Sequence, residues 1–211
     1  SLASVFRVRT GSTERLRIDS SGRLGLGLTP ESFHSNNKSV IRGGGGYAIL
    51  GRGDNLLAIA QNFYYDSSDA GKYIANGEAS LYTQQDGEHK FFNAASGSAN
   101  ASASQVERLR INSAGEVGIN NTSPENYGSD GRNLVIGNSD SNTASGISLV
   151  SGTGGYSTIY FADGTSGSAL YSGTIVYNHS DNRMDFWTNG VRRLRIDSSG
   201  NANLVSGSST L

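Results

Sequence analysis

Short stretches in which bulky apolar side chains alternate with small or polar ones run through most of the chain. Tyr47-Ala-Ile-Leu50, Leu56-Leu-Ala-Ile-Ala60, Ser80-Leu-Tyr-Thr83 and Leu134-Val-Ile136 are of this kind, as are Ile147-Ser-Leu-Val150, Thr158-Ile-Tyr-Phe161 and Thr174-Ile-Val-Tyr177. Each is bounded by Gly, Asn, Asp or Ser, so each reads as a strand closed by turns. No window carries an apolar stripe at helical spacing with caps. Asp54–Gln61 comes nearest and is too short to stand as a helix alone. The pattern predicts an all-β protein.

One segment occurs three times, as Glu14-Arg-Leu-Arg-Ile-Asp-Ser-Ser-Gly22, Glu107-Arg-Leu-Arg-Ile-Asn-Ser-Ala-Gly115 and Arg192-Arg-Leu-Arg-Ile-Asp-Ser-Ser-Gly200. The spacings, 107 − 14 = 93 and 192 − 107 = 85, exceed those of solenoid coils and suit a string of small modules. Leu16 and Ile18 point one way and Arg15 and Arg17 the other, as in a half-buried strand. Asp19-Ser-Ser-Gly22 supplies an Asx-type turn and a glycine able to take positive φ. The return strands, Leu24-Gly-Leu-Gly-Leu28 and Val117-Gly-Ile119, keep glycine inside a strand, which predicts close approach of another backbone there. Module boundaries are expected at 1–31, 32–125 and 126–211. The chain, starting partway through a module and ending just after the third hairpin, reads as a section of a longer polypeptide.

Composition adds a constraint. Leu, Ile, Val and Phe together number 45 of 211 residues, while glycine alone accounts for 29. Backbone ordering costs roughly 1–2 kcal/mol per residue, and so few bulky side chains offset it poorly within one chain. A shared core between chains is the natural remedy. A net charge of −1 gives no basic footprint for nucleic acid. No apolar run approaches the roughly 18 residues of a membrane span, so no membrane insertion is expected. With no Cys and with His34, His89 and His179 isolated in sequence, neither a metal site nor a cofactor is expected. Acids such as Asp66, Asp69, Glu78, Asp86 and Glu88 sit in turn-like contexts, and nothing in their spacing brings two together for glycoside chemistry.

The repeated strings Glu14–Pro30, Glu107–Pro124 and Arg192–Gly200 resemble those of tail-fibre proteins of tailed bacteriophages, of the cyanobacterial and marine phage type. The resemblance covers about a fifth of the chain. It implies an elongated, intertwined homotrimer of β-helix- or β-prism-like modules in the virion. Such a fibre attaches to other tail or baseplate proteins and adsorbs to a host-surface polysaccharide or protein without catalysis. The self-cleaving chaperone of many such fibres is announced by a Ser-Asp-x-Arg-Leu-Lys-like string, which this chain lacks. Under this reading Leu16, Ile18, Leu24, Leu26, Leu109, Ile111, Val117, Ile119, Leu194 and Ile196 form the trimer core. Phe63, Tyr64 and Tyr65 are receptor-binding candidates, because three successive rings in a strand cannot all face one side; packing between protomers is the competing reading. A section of a polysaccharide-degrading tailspike and a bacterial surface adhesin are the alternatives.

Overall fold

The computed structural model describes residues 5–27, 29, 37–43, 46–140 and 144–205. The chain divides into two compact units, Ser1–Gly146 and Ile147–Leu211. In the first unit the strands are β1 (Phe6–Thr10), β2 (Thr13–Ile18), β3 (Leu24–Leu26), β4 (Asn37–Gly43), β5 (Tyr47–Arg52) and β6 (Leu57–Gln61). They continue with β7 (Phe63–Tyr65), β8 (Gly71–Tyr73), β9 (Gly77–Gln85), β10 (Glu88–Gly97), β11 (Val106–Ile111), β12 (Val117–Ile119) and β13 (Leu134–Ile136). The second unit holds β14 (Tyr156–Phe161), β15 (Gly173–Asn178), β16 (Arg183–Thr188), β17 (Val191–Ile196) and β18 (Ala202–Leu204). Two short 3-10 turns, Pro124–Asn126 and Gly167–Tyr171, complete the regular structure among the described residues. The all-β expectation holds.

Eleven strands of the first unit form one open sheet in the order β1-β2-β3-β4-β5-β6-β9-β10-β11-β12-β13. Neighbours are antiparallel except β3/β4 and β12/β13, which are parallel. The β7–β8 hairpin leaves this meander and folds back over one face. Beneath it the sheet presents Ala48, Ala58, Ala60, Ala79 and Ala94 at alternating positions, with Val40, Leu50 and Leu81 among them. These small side chains leave room for the rings of Phe63, Tyr64 and Tyr73, and Phe63 is only 1 % exposed. Asn62 anchors the hairpin. Its amide donates to the Ala75 carbonyl (3.1 Å) and the Glu78 carbonyl (2.9 Å), and its side-chain oxygen accepts from the Ala75 N–H (2.7 Å). The second unit is a five-stranded antiparallel meander, β14-β15-β16-β17-β18.

Six of the seven alternating stretches named above lie on strands. Ile147-Ser-Leu-Val150 does not. Glycines at 146, 152 and 154 flank it, it joins no sheet ladder among the described residues, and its apolar side chains stay exposed. The expected boundary at 31/32 lies outside the described residues, and that at 125/126 falls inside the Pro124–Asn126 turn.

The three sequence repeats fold alike, as β1-β2-β3, β10-β11-β12 and β16-β17-β18. In each copy the Asp or Asn side chain accepts two backbone N–H groups across the turn. Asp19 takes Ser21 and Arg23, Asn112 takes Ala114 and Glu116, and Asp197 takes Ser199 and Asn201, all at 2.9–3.1 Å. The turn ends on Gly22, Gly115 or Gly200 at φ of +78°, +86° and +83°, a region other residues adopt only with strain. The strand glycine also behaves as expected at Gly118, where a Cβ would collide with the Asn121 carbonyl. The approaching backbone belongs to the same chain.

Candidate functional site

Cross-strand register builds one feature that no single strand reveals. Residues directly opposite in a ladder share a face. Following the pairs through all eleven strands gives Phe6, Ile18, Leu24, Ile41, Ile49, Ile59, Tyr82, Phe91, Leu109, Ile119 and Ile136. Every member is a large apolar or aromatic side chain. Leu16 and Leu26 flank this row on one side, and Ile111, Val117 and Leu134 on the other. The row occupies the face opposite the alanine-rich core, and the chain does not cover it: Phe6 is 58 % exposed, Ile59 50 % and Ile119 41 %. In the second unit the same construction gives Ile159, Ile175, Phe186, Leu194 and Leu204, with Ile196 alongside next to Met184. Leu204 there is 84 % exposed.

All ten residues expected to form a shared core therefore lie on these two apolar faces, half-buried or exposed within their own chain. The aromatic candidates do not lie at the surface as a recognition platform. Phe63 and Tyr64 are buried in the chain's own core, because β7–β8 folds back onto the sheet. Tyr65 is half-buried, edge-on to Phe63 at 4.9 Å between ring centroids and beneath the Arg52 guanidinium. Burial raises the Tyr65 phenol above its ordinary value. Phe63 and Tyr64 answer a packing need within the chain and are not available as receptor contacts. Sequence reasoning missed Ile41, Ile49, Ile59, Tyr82 and Phe91, the middle of the row. Alternation marked each strand, but only long-range register aligns them.

The hairpins carry a second repeated device. In all three copies the antiparallel ladder skips one residue, at Arg15, Arg108 and Arg193. The skipped residue bulges, and its carbonyl accepts the N–H of Gly27, Asn120 or Val205 at 2.8–2.9 Å. These three arginine side chains are exposed, whereas the arginine two positions later turns back into a carboxylate. Arg17 binds Glu14 in a two-point fork at 2.6 and 3.0 Å, and Arg110 binds Glu107 at 2.6 and 2.9 Å. The Arg17 fork holds the Glu14 carboxyl below its usual range, with Arg7 and Arg9 adding to the effect.

The third copy has Arg192 where the others have glutamate. Its acid comes from the neighbouring strand: Asp185 accepts a fork from Arg195 at 2.7 and 3.1 Å and a further bond from Arg183 at 3.1 Å. Asp185 occupies the place of Arg7 in the first copy. Burial works to raise its carboxyl, but the bonds from Arg195 and Arg183 outweigh burial and hold it low. Other acids are similarly occupied. Asp66 accepts the N–H groups of Ser68 and Ala70, Asp69 forks with Arg52 at 2.6 and 2.9 Å, and Glu88 pairs with Lys90 and Arg110. Among the described residues, no group of three or more His, Cys, Asp or Glu side chains is placed to hold a metal ion, and no helix is long and apolar enough to cross a membrane.

The fold and these faces define an all-β repeat protein of open sheets with bulged hairpins. No protein-family model and no curated protein matches the chain. Among solved structures it is similar to the ORF18 protein of Geobacillus virus E2, at 15 % identity and a TM-score of 0.31. That match covers 81 % of this chain and 26 % of the other, so the chain spans about a quarter of the length of the structure it matches.

Proposed function

We propose that this chain is a section of a phage tail-fibre protein, a non-catalytic trimeric shaft whose outer surface takes part in host adsorption. The observation that carries the reading is the uncovered apolar row. Eleven strands spaced about 4.8 Å apart make it on the order of 50 Å long. With its flanking Leu, Ile and Val residues it amounts to a continuous apolar strip on the order of 500 Å², in the range of the largest patches of soluble monomers, which are often interaction sites. Three such faces meeting around one axis would enclose it and leave the sides that carry the β7–β8 hairpins outward. The hairpin strings that resemble phage fibres are the same segments that contribute Leu16, Ile18, Leu109 and Ile119 to this face. The occupation of Asp66, Asp69, Glu88 and Asp185 in structural ion pairs and turns supports a role without catalysis.

Light scattering on the purified chain tests the assembly, with an expected mass three times 22.1 kDa. Ile59→Asp sits mid-row. It withdraws the contribution of burying the exposed half of that side chain, about 2 kcal/mol in each protomer, and places a charge in the shared interior. The variant should dissociate. A wild-type monomer or dimer, or an Ile59→Asp trimer of unchanged stability, would overturn the reading.

A further inference from the structure

The side of the sheet opposite the apolar row carries a cleft of about 800 Å³. It lies between the start of β11, the connection after β12 and the segment after β13. Phe92, which lines it, pairs across the ladder with Leu81 of the covered core, which puts the cleft on the side away from Phe91 and its row. Gly118 shares that side with Arg110, and the chain returns directly over it at Asn121. In an assembly closed on the apolar row, this cleft faces outward.

The wall is fixed by hydrogen bonds that leave other groups available. Asn121 is buried. Its amide donates to the Gly137 carbonyl (2.7 Å) and the Tyr127 hydroxyl (3.2 Å), and its side-chain oxygen accepts the Ser123 N–H (3.0 Å). Tyr127 is thus tethered by its hydroxyl while its ring stays exposed. Around it Asn120, Thr122, Ser123 and Asn126 supply amides and hydroxyls, beside the apolar side chains of Phe92 and Val106. Among the described residues that line the cleft there is neither Lys nor Arg, and Glu107 is already committed to Arg110.

We infer that this cleft binds a neutral oligosaccharide. Its volume is that of a ligand site, and its amides and hydroxyls both donate and accept, as sugar hydroxyls require. The ring of Tyr127 offers an apolar face for the C–H side of a sugar together with a polar edge. An anionic glycan would meet the Glu107 and Asp140 carboxylates with no cation among the described lining residues. The inference deepens the adsorption part of the proposed function, and the two can fail separately.

The full chain is applied to an array of neutral hexose, deoxyhexose and N-acetylhexosamine oligosaccharides, with sialylated and sulfated glycans and a peptide library beside them. Binding to at least one neutral glycan is expected, weakened at least about tenfold by Tyr127→Ala and also weakened by Asn126→Ala. Tyr156→Ala, an exposed tyrosine of the second unit, should leave it unchanged. Thermal melts of each variant establish that it is folded. No binding to any neutral glycan, binding indifferent to both cleft substitutions, or preference for the charged glycans or peptides overturns the inference. Light scattering on the same samples keeps the readings distinct: trimers that bind no sugar sink the cleft alone, and sugar-binding monomers sink the fibre assembly alone.

Discussion

Exchanging the charges of the third hairpin tests whether the repeats share one electrostatic design. In wild type Asp185, 3 % exposed, accepts three charge-assisted hydrogen bonds from Arg195 and Arg183. Asp185→Arg would remove the acceptor and leave cations facing one another. Removing one partner of a buried pair costs about 3–5 kcal/mol, most of it the penalty on the charge left behind. The first copy shows the remedy, since there Arg7 stands at the Asp185 position and Glu14 at the Arg192 position, with the carboxylate within 3.4 Å of Arg7 and forked to Arg17. Adding Arg192→Glu to Asp185→Arg would reproduce that arrangement. It would also remove the Arg192 Nε, which is buried without a hydrogen-bond partner. The double variant should recover most of the loss, giving a favourable coupling of about 2 kcal/mol or more. Denaturant unfolding of wild type, both singles and the double, at one protein concentration, completes the cycle. A double variant no more stable than Asp185→Arg alone would refute the shared design.

Two further outcomes follow from the same geometry. Asn62→Ala removes three hydrogen bonds to backbone groups and places alanine at φ +53°, so it should cost about 3–5 kcal/mol. Asn62→Gly relieves the backbone and should cost about 1 kcal/mol less than the alanine variant; equal losses in urea titrations would show that strain contributes nothing. Acid should also weaken the fold, because Asp19, Asp185 and Asp197 all have carboxyls held below their ordinary value. The unfolded chain takes up their protons first, near pH 4, so this stability is fully present above that point and is lost as pH falls through the lower folded values. Urea midpoints at neutral and strongly acidic pH should differ, and less so in Asp185→Asn.

What could be read in the sequence was local. The Asx turn with its terminal glycine is set by neighbouring residues, so Asp19–Gly22 and its two relatives were legible as hairpins and fold as such. The bulge was not. Arg15-Leu-Arg-Ile18 reads as simple alternation, and the residue that the ladder skips shows only once β1 lies beside β2. Phe63-Tyr64-Tyr65 misled for a related reason. Three rings in a row suggest a surface platform, yet the alanines that receive them lie on β5, β6, β9 and β10, far apart in sequence and unremarkable in each. Their small size is what lets one hairpin of aromatics serve as a core.

That economy explains why the opposite face is left open. A chain with 45 large aliphatic and phenylalanine side chains among 211 residues can thicken one side of an eleven-stranded sheet only by pairing alanines with a few rings. The remaining bulk is set along one narrow row, one or two large residues per strand, from Phe6 to Ile136. A single row cannot wrap itself, since each strand offers the face too few neighbours to exclude water. It does fit a repeated interface, because the bulge in each hairpin keeps Leu16, Leu109 and Leu194 in step with their cross-strand partners Leu26, Ile119 and Leu204. The three copies change which strand supplies the acid and keep the bulge, so the position of the leucine is the quantity the repeat preserves. On the proposed trimer reading, that leucine belongs to the core the chains would share.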